Sequence, residues 1–290
     1  MSIIHEKITY IFDPLHHLWE HEKIHKKISL ALVIFFLLSL VMIEANRQGL
    51  VPAFLSQLLP KNHFHAVQMA FTVVLILEVI SLIFTIPCSF SKSVGKQFEI
   101  LSMILMRNAF KELSYFAEPI TYEGNQEAIL RILSNGFGAL LIFALLGVYY
   151  RIQSRSTEES MKPSVMFEFV AAKKGIALIL MTFFIFMGVK EAACVVIGHA
   201  QGDFFHDFYT LLIIADILLV LISQCYQPSF YAIFRNSGFA FSTLIIRIAL
   251  AAPPFYNVLL GISAASFAIL LTIISSGLFI LPKSKNGKKT

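Results

Sequence analysis

The sequence is poor in charged residues and in cysteine. Only 14% of its 290 residues are Asp, Glu, Lys or Arg, whereas a soluble domain carries about 25%. The three cysteines, Cys88, Cys194 and Cys225, are too few and too scattered for a disulfide framework. The sequence also contains no HExxH, GxSxG, P-loop or GxGxxG motif. This composition excludes an ordinary cytosolic enzyme and a disulfide-rich secreted module.

Long apolar segments take the place of these features. Hydrophobic residues make up 57% of the chain, and its mean hydropathy is +0.74. A helix needs about 20 mostly apolar residues to cross the hydrocarbon core of a bilayer. Eight segments meet this requirement or come close to it: 28–45, 66–87, 98–115, 129–150, 175–198, 208–223, 239–252 and 258–281. The sequence therefore predicts an all-α integral membrane protein with about eight transmembrane helices.

The segments between these spans indicate an orientation. With the N-terminus in the cytoplasm, Lys and Arg concentrate in the inside loops, as expected for membrane proteins. Eight crossings then place both termini in the cytoplasm, with a linker at 152–173 and a basic tail at 283–290. We expect a multi-pass protein of the inner or plasma membrane whose partner is the lipid bilayer. Its pI near 9.0 reflects the lysines and arginines of the inside loops, which face lipid headgroups, and we expect no nucleic-acid partner.

Residues 1–27 are predicted to form a cytoplasmic amphipathic segment. Asp13 followed by Pro14 is typical of a helix start, and the residues that follow place an apolar stripe with Trp19 on one face. Such a helix is expected to lie on the inner membrane surface. Three histidines four residues apart fall on one helical face: His17, His21 and His25. They suggest a metal site or a pH sensor as an alternative to a plain surface helix.

The two halves of the sequence resemble each other. The matching positions pair Glu78 with Asp216, Ser102 with Ser242, and Arg107 with Arg247. Each half contains four predicted spans, and an even number gives both halves the same orientation. The sequence therefore predicts two parallel four-helix repeats, residues 28–151 and 174–282, of the kind related by an axis along the membrane normal.

Four ionisable residues fall within the predicted spans: Glu78, Arg107, Asp216 and Arg247. Each costs about 2.5–3.5 kcal/mol inside the hydrocarbon on insertion scales, so it is expected to face a partner in the bundle. We expect two acid–arginine pairs near the midplane, one in each repeat. Either each pair is structural and holds its helices together, or the pairs line a route for protons or ions. Voltage sensing has little support, because the fourth helix of each repeat has no arginine ladder.

Histidines and acids also gather on the predicted outer side of both halves. Imidazole and carboxylate groups together suit Zn²⁺ or another transition metal. The candidate ligands are His63, His65, His199, Asp203, His206 and Asp207. Their spacing matches no tight motif, and interfacial histidines without a metal are the alternative. No histidine lies deep within a span, so a haem group is not expected, and no other cofactor is predicted.

Small residues indicate close packing of the last helix of each half. The pairs Ser134 with Gly138 and Gly261 with Ala265 are small-xxx-small patterns, which let helices approach closely. They are expected either to pack the two repeats together or to form an oligomer. Besides lipid, the expected partners are a second copy of this chain, as a homo-oligomer, or a partner membrane subunit.

Taken together, these patterns favour a transport protein that moves a small ion or solute. A proton or another cation is the favoured substrate, along a polar pathway lined by the acid–arginine pairs. The main alternative is a non-catalytic membrane subunit or scaffold whose buried charge pairs are structural. An intramembrane enzyme is a third alternative, and we expect no enzymatic activity.

Overall fold

The computed structural model describes residues 3–52, 60, 62–116, 122–153, 163–197 and 204–277. Within these ranges all the regular secondary structure is helical. The helices are α1 (Ile3–Glu20), α2 (Glu22–Arg47), α3 (Phe64–Thr85), α4 (Phe90–Lys111), α5 (Gln126–Gln153), α6 (Pro163–Ile197), α7 (Phe204–Tyr226), α8 (Phe230–Ala251) and α9 (Tyr256–Gly277). A short 3₁₀ turn, Glu112–Tyr115, follows α4.

Seven helices in the described part of the chain are long and apolar enough to cross a membrane: α2, α3, α5, α6, α7, α8 and α9. This is the architecture of a multi-pass membrane protein. Helix α4 matches the others in length but is not among the seven. It includes most of the predicted span 98–115, and its charged residues are Lys92, Lys96, Glu99, Arg107 and Lys111. The structure therefore supports seven spans by composition, where the sequence predicted eight.

Helices α4 and α8 begin in the same way. Ser89 and Ser229 have extended backbone conformations, and each hydroxyl accepts a hydrogen bond from a backbone N–H three residues later. This is the usual way in which serine caps a helix N-terminus. Both helices contain 22 residues. Their buried arginines, Arg107 and Arg247, each lie at the eighteenth position.

The described residues form two main apolar cores, and each core draws on both halves of the sequence. One core lies between α4, α5, α8 and α9. The other lies between α3, α6 and α7 and includes Phe12 of α1. The halves are therefore packed together over much of their length and do not form separate four-helix bodies.

Helices α5 and α9 approach each other closely at glycine positions. A Cβ atom on Gly138 would lie 2.5 Å from Val258, and one on Gly261 would lie 2.7 Å from Ile142. Nearby, the buried Asn257 Nδ2 donates a hydrogen bond of 2.9 Å to Asn135 Oδ1. The small-residue patterns thus pack the two halves of one chain together, which was one of the two predicted outcomes.

The prediction that the N-terminal helix starts at Asp13 is wrong. Helix α1 begins at Ile3 and continues through Pro14. The part of α1 before Pro14 is stabilised by Phe12, which is buried and packs edge-on against Phe84 of α3, with ring centroids 5.7 Å apart. Asp13 does not cap the helix, and its Oδ1 lies 2.6 Å from Lys174 Nζ of α6.

The prediction that three histidines share one helical face is also wrong. The chain is extended at His21, with φ −71° and ψ 119°, so that α1 ends before it and α2 begins after it. The Nδ1 atom of His21 accepts a hydrogen bond from the backbone N–H of Lys23. His17 and His25 therefore belong to different helices. The ring of His21 lies 6.2 Å from that of His17, whereas the ring of His25 lies 5.8 Å from that of Trp19.

Candidate functional site

Glu78 and Arg107 form a closed ion pair between α3 and α4. Nη1 of Arg107 donates a hydrogen bond to Oε2 of Glu78. Arg107 is 6% exposed and Glu78 is 9% exposed. A charge-assisted hydrogen bond between two buried partners is stronger than one between neutral groups. This pair therefore links the two helices and leaves its carboxylate engaged.

Asp216 and Arg247 form a looser pair between α7 and α8. Nε of Arg247 lies 3.6 Å from Oδ2 of Asp216, which is too far for a good hydrogen bond. Both side chains are buried. Oδ2 of Asp216, and Nε and Nη1 of Arg247, have no hydrogen-bond partner among the described residues. Buried polar atoms are rarely left without a partner, so this pair has hydrogen-bonding capacity for a further group.

The structure thus brings the four predicted residues together as two pairs, each between successive helices. The difference between the pairs has a simple cause in the side chains. Aspartate is one methylene shorter than glutamate. In addition, Asp216 is the thirteenth residue of α7, whereas Glu78 is the fifteenth residue of α3.

Tyr209 lies within electrostatic range of both pairs. It is buried on α7, and it interacts electrostatically with three charged side chains: Arg107, Arg247 and Glu78. At the matching position of the first half, Phe71 stacks on Phe110 with ring centroids 6.0 Å apart. Phe71 and Tyr209 each lie seven residues before the acid of their half, but the sequence pattern did not identify the tyrosine as part of the site. The signal was the change from a phenyl ring to a phenol at one repeat position.

A small polar cavity lies next to the second pair. Its volume is about 20 Å³, and its polar lining includes Ser93, Gln97, Lys173, Asp216 and Thr243. Oε1 of Gln97 is buried and has no hydrogen-bond partner in the described ranges. Neither Glu78 nor Arg107 lines the cavity. The predicted span began at residue 98, and for this reason Gln97 was missed.

Lys173 lies in the cavity wall near the start of α4. Its Nζ atom donates a hydrogen bond of 2.9 Å to the backbone carbonyl of Cys88. The same atom lies 4.7 Å from the ring centre of Phe90 and 4.3 Å from that of Phe169. Two aromatic faces stabilise the buried ammonium through cation–π contacts. In this apolar environment burial raises the pKa of the Cys88 thiol.

The candidate metal ligands are only partly described. Nε2 of His63 lies 3.1 Å from Oε2 of Glu44, at the end of α2. Nδ1 of His65 is buried without a hydrogen-bond partner within the described ranges, and Asp207 is exposed. His199, Asp203 and the side chain of His206 lie outside the described residues. No group of three ligand-type side chains occurs in the part of the chain that the structure describes, and the metal site remains a prediction.

The chain gives no match in comparisons with protein-family models, curated proteins and solved structures. Its function is therefore argued from the buried charged groups and the cavity beside them.

Proposed function

We propose that this chain carries a proton or another small cation across the inner or plasma membrane, without enzymatic activity. The observation that supports this function most strongly is the second acid–arginine pair. It is buried between two apolar helices of membrane-spanning length, and it lies beside a polar cavity. Three of its polar atoms have no hydrogen-bond partner among the described residues. Ionisable groups within a membrane often mark such routes.

In this proposal α4 also crosses the membrane, which brings the number of transmembrane helices to eight. Its 22 residues extend about 33 Å, enough to cross the hydrocarbon core. Three of its five charged residues take part in ion pairs. Arg107 pairs with Glu78, and Oε2 of Glu99 lies 2.8 Å from Nζ of Lys96. Oε1 of Glu99 also accepts a hydrogen bond of 2.7 Å from the hydroxyl of Tyr150 on α5.

The proposal also retains two parallel four-helix repeats with both termini in the cytoplasm. The matching caps and arginines of α4 and α8 support it. A second correspondence lies at the α4–α5 and α8–α9 contacts. The hydroxyl of Tyr149 donates to the carbonyl of Ser91, and the hydroxyl of Tyr231 donates to the carbonyl of Ser275. A tyrosine thus donates to a serine carbonyl in both halves. The tyrosine is on α5 and the serine on α4 in the first half, whereas the tyrosine is on α8 and the serine on α9 in the second half.

The two members of the second pair have different roles in transport. Asp216 takes up and releases the transported proton, or coordinates the cation with a carboxylate oxygen. Arg247 neutralises the carboxylate when it is charged, which lowers the cost of a charge at membrane depth. Because the two groups are separated by 3.6 Å, the carboxylate can change its charge without breaking a strong hydrogen bond.

Flux in liposomes tests this proposal. The purified full-length chain is reconstituted, and a pH-sensitive dye reports proton entry after a pH step, with Na⁺ and K⁺ gradients as further substrates. We expect flux above that of empty liposomes, and we expect Asp216→Asn to abolish most of it. The control is Glu123→Gln, which neutralises an exposed acid in a turn. If the intact chain gives no flux of any of these ions, the transport proposal is wrong.

The second candidate function is a non-catalytic membrane subunit or scaffold. The closed Glu78–Arg107 pair favours it, because a buried and hydrogen-bonded pair serves well as a fixed link between helices. A scaffold should give no ion flux and should co-purify with a defined membrane partner. A transport protein should give flux as the only purified component.

A further inference from the structure

The cavity beside Asp216 extends toward one end of the helix bundle. We call this the basic end, where α3 ends and α4 begins and where Lys92 and Lys96 are exposed. Cys88 and Phe90, which also line the cavity, lie at this end, and Ser93 lies in the first turn of α4. Asp216 lies ten residues from the end of α7, deeper in the bundle than Cys88 and Phe90. The cavity therefore lies between the buried carboxylate and the residues of the basic end.

The volume and the lining of the cavity fit one water molecule. A cavity holds a water when it offers more than about 10–15 Å³ and two to four polar partners, and this cavity offers about 20 Å³. Two buried acceptors in its wall lack a donor among the described residues: Oε1 of Gln97 and Oδ2 of Asp216. A water molecule has two O–H groups and can donate one to each. The hydroxyl of Thr243 donates to the carbonyl of Ala240, so its lone pairs remain able to accept.

A metal cation fits the cavity less well than water. The ammonium of Lys173 lines the cavity, and the guanidinium of Arg247 pairs with the single carboxylate. Two positive charges against one negative charge repel a further cation. Tyr209 on the same helix as Asp216, Cys88 in the α3–α4 loop and the amide of Gln97 on α4 add no negative charge while the thiol and the phenol are protonated.

We infer that the cavity binds one water molecule through which Asp216 exchanges its proton with the basic end, while Glu78 remains paired with Arg107. This inference rests on the proposed function, and it identifies the proton as the transported ion and Asp216 as the carrier. In the uptake step, the bound water accepts a proton from hydronium at the basic end as it donates one of its own to Asp216, so that no cation stays in the cavity. One carboxyl O–H forms and one hydronium becomes water. Release is the reverse of these transfers.

Infrared difference spectroscopy tests the assignment of the carrier. Spectra of the reconstituted full-length chain are recorded between alkaline and acidic buffer, in H₂O and in D₂O. We expect a protonated-carboxyl band that appears on acidification at the high frequency of a carboxyl group buried away from water, separate from the bands of the exposed acids, and that shifts in D₂O. The band should disappear in Asp216→Asn and should persist in Glu78→Gln. A band that persists in Asp216→Asn, or that disappears only in Glu78→Gln, overturns the inference.

Filling the cavity tests the role of the water. Ala240 lines the cavity, and Ala240→Val adds two methyl groups at its wall. The matched control is Ala251→Val, which makes the same change at an exposed position at the end of the same helix. We expect the rate at which the carboxyl band shifts in D₂O to fall about tenfold in Ala240→Val, as expected for the loss of one hydrogen bond to a charged group, and not in Ala251→Val. An unchanged rate in Ala240→Val overturns the water route.

The two proposals fail in different ways. If the carboxyl band behaves as expected and the liposomes show no proton flux, then the transport proposal is wrong and Asp216 is a buried group in exchange with one side. If the liposomes show flux that survives Asp216→Asn, and the band is absent, then the inference about the carrier is wrong and transport uses another route.

Discussion

Replacing Arg107 with methionine should leave the carboxylate of Glu78 buried between α3 and α4 without its partner. The two side chains are only 6% and 9% exposed, so water cannot replace the lost guanidinium. Removal of one partner of a buried ion pair costs about 3–5 kcal/mol. Since a folded protein is stable by only about 5–15 kcal/mol, Arg107→Met should remove a large part of the stability. The neutral pair Glu78→Gln with Arg107→Met leaves no buried charge and should lose much less.

A double-mutant cycle measures this effect. The free energy of unfolding in mixed micelles is determined for the original chain, for Glu78→Gln, for Arg107→Met and for the double variant. We expect a coupling energy of about 2–3 kcal/mol, in the upper part of the range for residues in direct contact. The reversed pair, Glu78→Arg with Arg107→Glu, serves as a second check. If the losses of the single variants simply add, or if the reversed pair is as unstable as either single reversal, the direct pairing is refuted.

Two further predictions concern packing and thiol chemistry. Gly138→Ala should destabilise the protein by about 1–3 kcal/mol, because its new methyl group would overlap Val258, whereas Gly136→Ala meets no atom within 4 Å and should be neutral or stabilising in the same unfolding assay. Cys88 should react with a thiol-alkylating reagent more slowly than the exposed Cys225 at pH 8, and its rate should keep rising at higher pH. A raised thiol pKa lowers the thiolate fraction at a given pH, so equal rates for the two thiols would contradict the burial of Cys88.

The sequence was informative wherever one physical requirement dominated. Charged residues in apolar segments need partners, and from this requirement the sequence predicted that Glu78 pairs with Arg107 and Asp216 with Arg247. Small residues in the last helix of each half predicted a close helix contact, and Gly138 and Gly261 provide it. Each of these predictions depends on one type of residue in one environment, and none requires the relative positions of several helices.

Other features depend on several helices at once and could not be predicted in this way. The cavity combines side chains of α4, α6, α7 and α8, whose mutual positions no local pattern specifies. The start of α1 was missed because the contact of Phe12 with Phe84 outweighs the local preference of Asp13 and Pro14 for a helix start. The difference between the two acid–arginine pairs follows from side-chain length and helix position, which became meaningful only when the distances were known.

The current that follows a pH jump across a supported membrane containing the purified chain tests the central claim most directly. The account predicts a proton current whose sign reverses with the gradient, which disappears in Asp216→Asn and which Ala251→Val leaves unchanged. An Asp216→Asn variant that folds normally and carries the same current as the original chain would contradict it.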